Sequence, residues 1–382
     1  MSRVYIAKCP NYDRPSVEAA LHESLQAFSR DNDLIAPGQK VVLKANLLQA
    51  QPPEKAVTTH PTLVAAVARW VRKAGATPII ADSPGGLFTA RTLRRVYQVT
   101  GMMRAAEEGG AALNYDVGSV LLPCPEGLMI KMVDSIRVVA EADAIISLPK
   151  LKTHSLTYFT GATKNLFGTV PGVSKAGYHT KLPTADKFSE MLIDILSCHK
   201  PVLTIMDAVV GMEGNGPSGG DPRYIGLLLT STDGVALDVV ATSVVGISPL
   251  SVPPIAAAAR RGLTTGHVED IEVLGNCVDA VKVTGFKKPR TGSMDLHKLP
   301  AKLPPLVRSW AAGQLLASPH AGSKCIGCGV CVENCPVQAI TIVAKRARMD
   351  LKSCLRCYCC HELCPVNAVE LHQSLLGRLV NR

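Results

Sequence analysis

The chain has 382 residues, 41 Lys and Arg against 31 Asp and Glu for a net charge of +10, and is 47% hydrophobic but only 4% aromatic. That apolar share supports a core and excludes wholesale disorder. The few aromatics argue against a nucleic-acid surface built on stacked bases, and no apolar run approaches the roughly 18–20 residues that span a bilayer. Nine of the 13 cysteines lie between Cys325 and Cys364. A secreted disulfide framework would spread them, and the opening MSRVYIAKCPNYDRP has no long apolar stretch of a secretory leader. A reducing, cytoplasmic setting is therefore expected.

In chain order, β-rich runs alternate with helical stretches over residues 1–285. The spacing predicts strands at 41–44, 78–81, 144–148, 202–206, 226–230 and 271–274, several apolar throughout, as in a sheet buried on both faces. Between them it predicts a helix at 61–73, capped by Thr59 and followed by Gly75. A second covers 184–198 with Phe188, Met191, Leu192 and Ile195 on one face, and a third opens at Asp233 or Gly234 and ends near Val245. This alternation reads as an α/β domain with a layered, mostly parallel sheet. Residues 286–320 turn rich in Lys, Pro and Gly and read as a linker with one short helix near 306–316. Residues 321–382 read as a small α+β module built on an internal repeat.

The repeat is Cys325-x2-Cys328-x2-Cys331-x3-Cys335-Pro336, matched at an offset of 29 residues by Cys354-x2-Cys357-x2-Cys360-x3-Cys364-Pro365. A cubane asks for four thiolates at tetrahedral corners. One loop with x2 spacings wraps three of them, and the fourth arrives from the other half. Two [4Fe-4S] clusters follow, one on Cys325, Cys328, Cys331 and Cys364, the other on Cys354, Cys357, Cys360 and Cys335. Paired CxxC also suits zinc, but the full series given twice is far more typical of clusters. Cys359 falls outside the pattern and reads as a non-ligand thiol, with exchange for Cys360 left open. The segment resembles bacterial dicluster ferredoxins along its whole length. Oxygen sensitivity of low-potential clusters suggests an anaerobic host.

The second signal is an absence. From Ala144 to Ala185 there are 42 residues without Asp or Glu, holding Lys150, Lys152, Lys164, Lys175 and Lys181 with His154 and His179. The stretch begins at the end of an apolar strand, where open α/β sheets bind ligands. Lysines there suit carboxylates or phosphates. We read it as a glycine-punctuated loop forming an anion pocket; a solvated basic face is the plainer reading. Lys44 and Asn46 close one predicted strand, Asp82 and Asp207 follow two others, His60 opens a helix, and Glu213, Gly214, Asn215 and Gly216 lie in a long glycine-rich loop. No GxGxxG follows the first strand and no GxxxxGK[ST] occurs, so nucleotide cofactors are not indicated.

These blocks carry a resemblance. KAN (44–46), THP (59–61), LPKLKTH (148–154), GATKNLFG (161–168), Asp207, GMEGNGP (211–217) and Asp233 to Asp238 resemble the "domain of unknown function 362" family, in the version ending in a dicluster ferredoxin. The resemblance implies an α/β fold and frequent coupling to iron–sulfur clusters, and no particular reaction. The reading that follows is an oxidoreductase: electrons from two clusters reach an anionic small molecule. His154, Lys164, Asn165 and Lys152 are its catalytic candidates, and His154 its proton source. Lys44, Asn46, His60, Asp82, Lys150, Asp207 and Glu213 to Gly216 are expected to bind the substrate, and a redox protein to act as donor or acceptor. The alternative is a non-catalytic electron-transfer or maturation protein whose basic surface docks an acidic partner. A concave lysine site favours the first and a convex face the second.

Overall fold

The computed structural model describes residues 1–28, 34–289 and 316–374. The first strand is β1 (Arg3–Lys8), followed by α1 (Arg14–Gln26), β2 (Lys40–Ala45), α2 (Pro61–Lys73), β3 (Thr77–Ala81), α3 (Ala90–Val99), α4 (Met102–Gly109) and β4 (Ala112–Leu113). Strands β5 (Ser119–Pro123) and β6 (Met132–Ile136) form a separate antiparallel pair leading into α5 (Arg137–Ala140). Then come β7 (Ala144–Leu148), β8 (Lys150–His154), β9 (Tyr158–Thr160), α6 (Ala162–Asn165), α7 (Gly172–Lys181), α8 (Ala185–His199), β10 (Leu203–Glu213), β11 (Asp221–Ser231), α9 (Gly234–Val244), α10 (Pro253–Arg260) and β12 (Glu272–Gly275).

Ten of these strands form one sheet in the order β12-β1-β11-β10-β7-β2-β3-β4, with β8 joined to β10 and β9 to β8. Parallel pairing dominates; β11 is antiparallel to both neighbours, and β9 to β8. Helices cover both faces, which is why the central strands are apolar throughout. Along β10, Leu203, Ile205 and Val209 pack with α1, α2 and α4, while Met206 and Ala208 pack with α9. Alternate side chains of one strand thus feed two cores.

The strands at the site run further than the composition suggested. Residues 202–206 and 226–230 are the centres of two 11-residue strands. Asp207 therefore lies within β10, beside a register shift between Ala208 and Val210, and not beyond its end. Lys150–His154 is not a loop: after Pro149 the chain resumes as β8, pairing Lys150 with Asp207 and Lys152 with Met212. Helix α2 is capped by His60, whose ring accepts from Thr62 N, and not by Thr59. The Thr59 hydroxyl is committed elsewhere, donating to Leu148 O at 2.6 Å and accepting from Asn46 N.

Of the linker expected at 286–320, most, with its short helix, lies outside the described residues. The C-terminal module already includes β13 (Ser318–Ala321), paired with β16 (Val369–His372) across the two halves of the repeat. Between them β14 (Ile340–Val343) pairs with β15 (Arg346–Met349), and helical turns stand at Val330–Glu333 and Cys359–Glu362.

Candidate functional site

Because β2, β3 and β7 are parallel neighbours, their carboxyl ends share one edge of the sheet. Lys44 and Asn46 lie at the end of β2, Asp82 and Ser83 just beyond β3, and β8 continues from β7. Lys44 is buried; its ammonium is 2.8 Å from Asp82 Oδ1 and donates to Ala45 O. A Cβ on Gly168 would fall on this ion pair, so the 161–168 turn can cross here only with glycine at that position.

Asn165 knits the edge together. Its amide donates to Lys44 O and Ser147 Oγ, and its Oδ1 accepts from Asn46 Nδ2 at 3.2 Å. Lys152 donates to Asn46 Oδ1 at 2.8 Å and Val57 O at 2.7 Å. Helix α6, which carries Lys164 and Asn165, is held by Asp238 of α9: the buried carboxylate accepts from Ala162 N at 2.6 Å and Thr163 N at 3.0 Å. Burial pushes the Asp238 pKa up to about 6 in spite of those bonds.

These residues wall a cavity of about 790 Å³, mouth included. One side is the α/β edge: Lys44, Asn46, Asp82, Lys152, His154, Lys164 and Asn165, with Lys175 and His179 from α7. The opposite side belongs to the C-terminal module, through Asn334, Cys359, Glu362 and Leu363. The modules meet closely: Leu363 packs on Gly85 and Asn334 on Gly86. Ser218 donates to Glu362 O at 2.8 Å, and Gln51 to Pro365 O at 3.2 Å.

Among the described residues, five buried polar atoms of the wall have no hydrogen-bond partner: Asp82 Oδ1, Ser83 Oγ, His154 Nε2, Thr160 Oγ1 and Glu362 Oε1. Asp82 Oδ1 has the Lys44 charge beside it. His154 Nε2 and Glu362 Oε1 are 3.0 Å apart but not aligned as a hydrogen bond. Buried polar atoms left open cost free energy unless something else meets them.

His154 Nδ1 accepts from the amides of Leu156 and Thr157, so its proton sits on Nε2, facing the cavity. Burial, with Lys164 and Lys152 near, lowers its pKa to about 4 against the opposing pull of Glu362. Burial would raise Glu362, but His154, Lys164 and His179 hold it well below the usual carboxylate range. At neutral pH the pair is a neutral imidazole beside a carboxylate. Burial lowers Lys152 to about 7, helped by Lys164 and Lys150. Burial likewise lowers Lys175 to about 7, helped by Lys44 and Lys164 and opposed by Asp82.

The remaining expected binding residues stand elsewhere. Lys150, Asp207 and His60 join Tyr12 in a closed quartet. Lys150 Nζ is 2.9 Å from Asp207 Oδ2 and 2.8 Å from Tyr12 Oη, Tyr12 donates to Asp207 Oδ1 at 2.7 Å, and His60 N to Oδ2 at 2.8 Å. A regular strand would put Lys150 and Lys152 on one face, but β8 meets β10 with a register shift between Asp207 and Met212; Lys150 is committed to Asp207, whereas Lys152 lines the cavity. Glu213 accepts from Lys287 N, and Gly216 lies where a Cβ would strike Thr153. Asn215 O contacts His361 Nε2 at 3.2 Å, and Gly214 N donates to Lys287 O. That loop joins the two modules; Pro217 alone of it lines the cavity. The named catalytic and binding candidates omitted Ser83, Thr160, Lys175, His179 and Glu362. Lys175 and His179 lay in the acid-free stretch, but nothing in the local sequence ties Glu362 to a site more than 200 residues earlier.

The cysteines ring two smaller cavities, of about 330 and 350 Å³. Cys325, Cys328, Cys331 and Cys364 line one; Cys335, Cys354, Cys357 and Cys360 line the other, together with Cys359. Among the described residues no three His, Cys, Asp or Glu side chains converge as a single ion would need. Each set of four borders one cavity, the arrangement that four corner ligands of a cubane need. Backbone amides point at them: Ala347 N at Cys325, Ala339 N at Cys335, Arg356 N at Cys354 and Ala368 N at Cys364, at 3.1–3.4 Å. Donors of this kind stabilise cluster thiolates.

Fold and cysteine framework together define an iron–sulfur protein: an α/β domain with a large mostly parallel sheet, followed by a 4Fe-4S ferredoxin-like module. Residues 41–243 match the family described as "Domain of unknown function (DUF362)", and residues 324–368 match the 4Fe-4S dicluster domain. The chain belongs to the DUF362 family. A thylakoid-associated protein of Synechocystis sp. is 33% identical over 311 residues, covering 79% of this chain and 89% of that one. Two solved structures are looser likenesses: a Thermotoga maritima protein (14% identity, TM-score 0.34) and the lactate racemase apoprotein of Thermoanaerobacterium thermosaccharolyticum (15%, 0.40). They align over 60% and 61% of this chain and 57% and 55% of theirs. No helix among the described residues is long and apolar enough to cross a membrane.

Proposed function

We propose that the protein is an oxidoreductase that reduces an anionic small molecule held in the lysine-lined cavity. Two [4Fe-4S] clusters, on Cys325, Cys328, Cys331 and Cys364 and on Cys354, Cys357, Cys360 and Cys335, would each supply one electron at a time when bound. The observation that carries the reading is the shared wall: Cys359, Glu362 and Asn334 face the cavity and are sequence neighbours of Cys360 and Cys335. The site is concave and recessed, which favours a substrate over a docked protein.

Within the cavity, Lys164 and Lys175 bind the acid groups. Asn46 and Asn165 hold Lys152 and Lys44 in place. We assign the proton to Lys152, in place of His154. A general acid works best with its pKa near the operating pH; Lys152 sits at about 7, whereas His154 at about 4 is already neutral. Two of the three Lys152 N–H bonds are committed to Asn46 and Val57, leaving one for the substrate. His154 becomes a hydrogen-bond donor through Nε2. A balanced turnover takes two electrons from a reduced redox-protein donor and two protons from water, one relayed by Lys152. The gathering of nine of the 13 cysteines between Cys325 and Cys364 suits a reducing compartment such as the cytoplasm.

The test is anaerobic. Dithionite-reduced protein is offered fractions of small organic acids, and cluster reoxidation is followed by visible absorbance. Lys152→Met and Lys164→Met should slow reoxidation severely while iron stays near eight per chain, as two cubanes require. A reduced protein that no acid fraction reoxidises overturns the reading.

A further inference from the structure

We infer that the cavity selects a short diacid, with one acid group at Lys164 and the other at Lys175. The inference rests on the cavity being the substrate site and narrows what enters it.

The first argument is charge. Four ammonium groups line the cavity, Lys44, Lys152, Lys164 and Lys175, against two carboxylates, Asp82 and Glu362. Lys44 and Asp82 satisfy one another at 2.8 Å. When all are ionised, two positive charges remain in excess. A recessed site with that excess is matched by two negative charges and poorly by one.

The second argument is placement. Lys164 and Lys175 come from different helices and converge on one ring: their ammonium nitrogens lie 5.3 and 6.0 Å from the centroid of Phe167. Among the described residues, no carboxylate or carbonyl is in hydrogen-bond contact with Lys164. Its field comes from Glu362 and Cys359, at the C-terminal module's side. Lys175 faces the other way, donating to the backbone carbonyls of Ser83 and Pro84, with Asp82 and Lys44 near. The unpartnered buried atoms divide likewise, His154 Nε2 and Thr160 Oγ1 towards β8 and β9, and Ser83 Oγ beyond β3. Each end therefore offers an ammonium and a neutral donor; Phe167 lies near both ammoniums, and Leu48 and Leu363 add apolar lining to the wall. A molecule with carboxylates at both ends of a short carbon chain fits this pattern; a single phosphate, with its charges on one centre, does not.

The third argument is linkage. Lys152 faces Lys150, Lys164, Asp82 and Glu362; Lys175 faces Lys44, Lys164, Asp82 and His179. Burial holds both near 7. A bound dianion favours their charged forms, so binding at pH 7.5 takes up protons.

The experiment is isothermal titration of the full, cluster-loaded protein under anaerobic conditions, with succinate, propionate, succinamide and inorganic phosphate as probes. Succinate should bind at least about 10-fold more tightly than the others, as one further charged contact implies. It should take up protons when measured in two buffers of different ionisation enthalpy. Lys175→Met and Lys164→Met should each cost about 10- to 100-fold in succinate affinity and bring it down to that of propionate. Lys175→Arg, which keeps the charge should the methionine variant fold poorly, should retain most of it. Equal affinity for propionate or phosphate, an absent proton uptake, or unchanged binding in the Met variants overturns the inference. Succinate binding without any cluster reoxidation by acids sinks the reductase and keeps the diacid site. Reoxidation by a monoacid alone does the reverse.

Discussion

The quartet around Asp207 gives the sharpest quantitative test, because its charges are wholly inside the protein. Lys150 is 1% exposed and Asp207 0%. Burial lowers the Lys150 pKa, and Asp207 is the charge that opposes it. In Asp207→Asn the ammonium stays buried without a counterion, and the Asn amide group offers Tyr12 or His60 one acceptor where the carboxylate offered two. Removing one partner of a buried pair costs about 3–5 kcal/mol. At about 2–4 °C per kcal/mol for a domain near this size, the midpoint should fall by roughly 10 °C. The double variant Lys150→Met, Asp207→Asn removes the stranded charge and should recover more than half of the loss. Urea unfolding followed by far-ultraviolet circular dichroism measures both. Because none of the quartet lines the cavity, and Lys150 reaches it only through its charge on Lys152, succinate affinity should change by less than the roughly 10-fold expected for a lost charged contact in the folded variants. A loss below about 1 kcal/mol, or a double variant no better than the single, would refute a structural role.

Lys152 predicts a pH dependence. Its folded pKa of about 7 lies below its ordinary 10.5, so between those values the folded chain holds fewer protons than the unfolded one. Stability should rise with pH across that window, by up to about 1.4 kcal/mol per unit, and be lost as pH falls towards 7. Lys152→Met should flatten the slope by that amount in urea titrations at pH 7.5, 8.5 and 9.5, and an unaltered slope contradicts the assignment. Iron analysis separates the adjacent thiols: Cys359→Ser should keep about eight irons and Cys360→Ser about four, by the two-cubane count. The opposite result would exchange their roles. Gly168→Ala places a methyl on the Lys44–Asp82 pair and should cost about 1–3 kcal/mol by overpacking, together with most of the succinate affinity; a neutral effect in thermal unfolding would show that the turn yields.

Much of the α/β edge was legible because chemistry and period coincide there. Apolar runs ending in Lys44, Asp82 and Leu148 mark parallel strands, and parallel strands bring their carboxyl ends together. What was illegible follows from the same geometry. Asp207 closes an apolar run, yet the chain stays extended past it, because β11 pairs along β10 from Thr204 to Glu213 and that ladder holds the residues from Gly211 to Glu213. Lys150 and Lys152 look equivalent in LPKLKTH, and a two-residue spacing would place them on one face of a regular strand; the register shift where β8 meets β10 sends one into the quartet and the other into the cavity. Glycines 214, 216, 219 and 220 suggest a ligand loop, whereas Gly216 packs on Thr153, Gly220 on Glu213 and Met212, and Gly219 approaches His361 of the C-terminal module. Glu362 shows the limit most plainly. Its neighbours declare a ferredoxin module, and only the docking of that module, which no local pattern encodes, turns it towards His154.

The shared wall has a consequence for engineering. Ferredoxin modules look interchangeable, since a graft needs only the eight cysteines and two prolines to carry iron. In this protein such a transplant would also strip Asn334, Glu362 and Leu363 from the chamber. A chimera could then be fully metallated, correct by absorbance, and still present a breached compartment to its substrate. Anyone rewiring this chain to a foreign donor should redraw the outer electron-accepting surface and leave the inward-facing side of the module as it is.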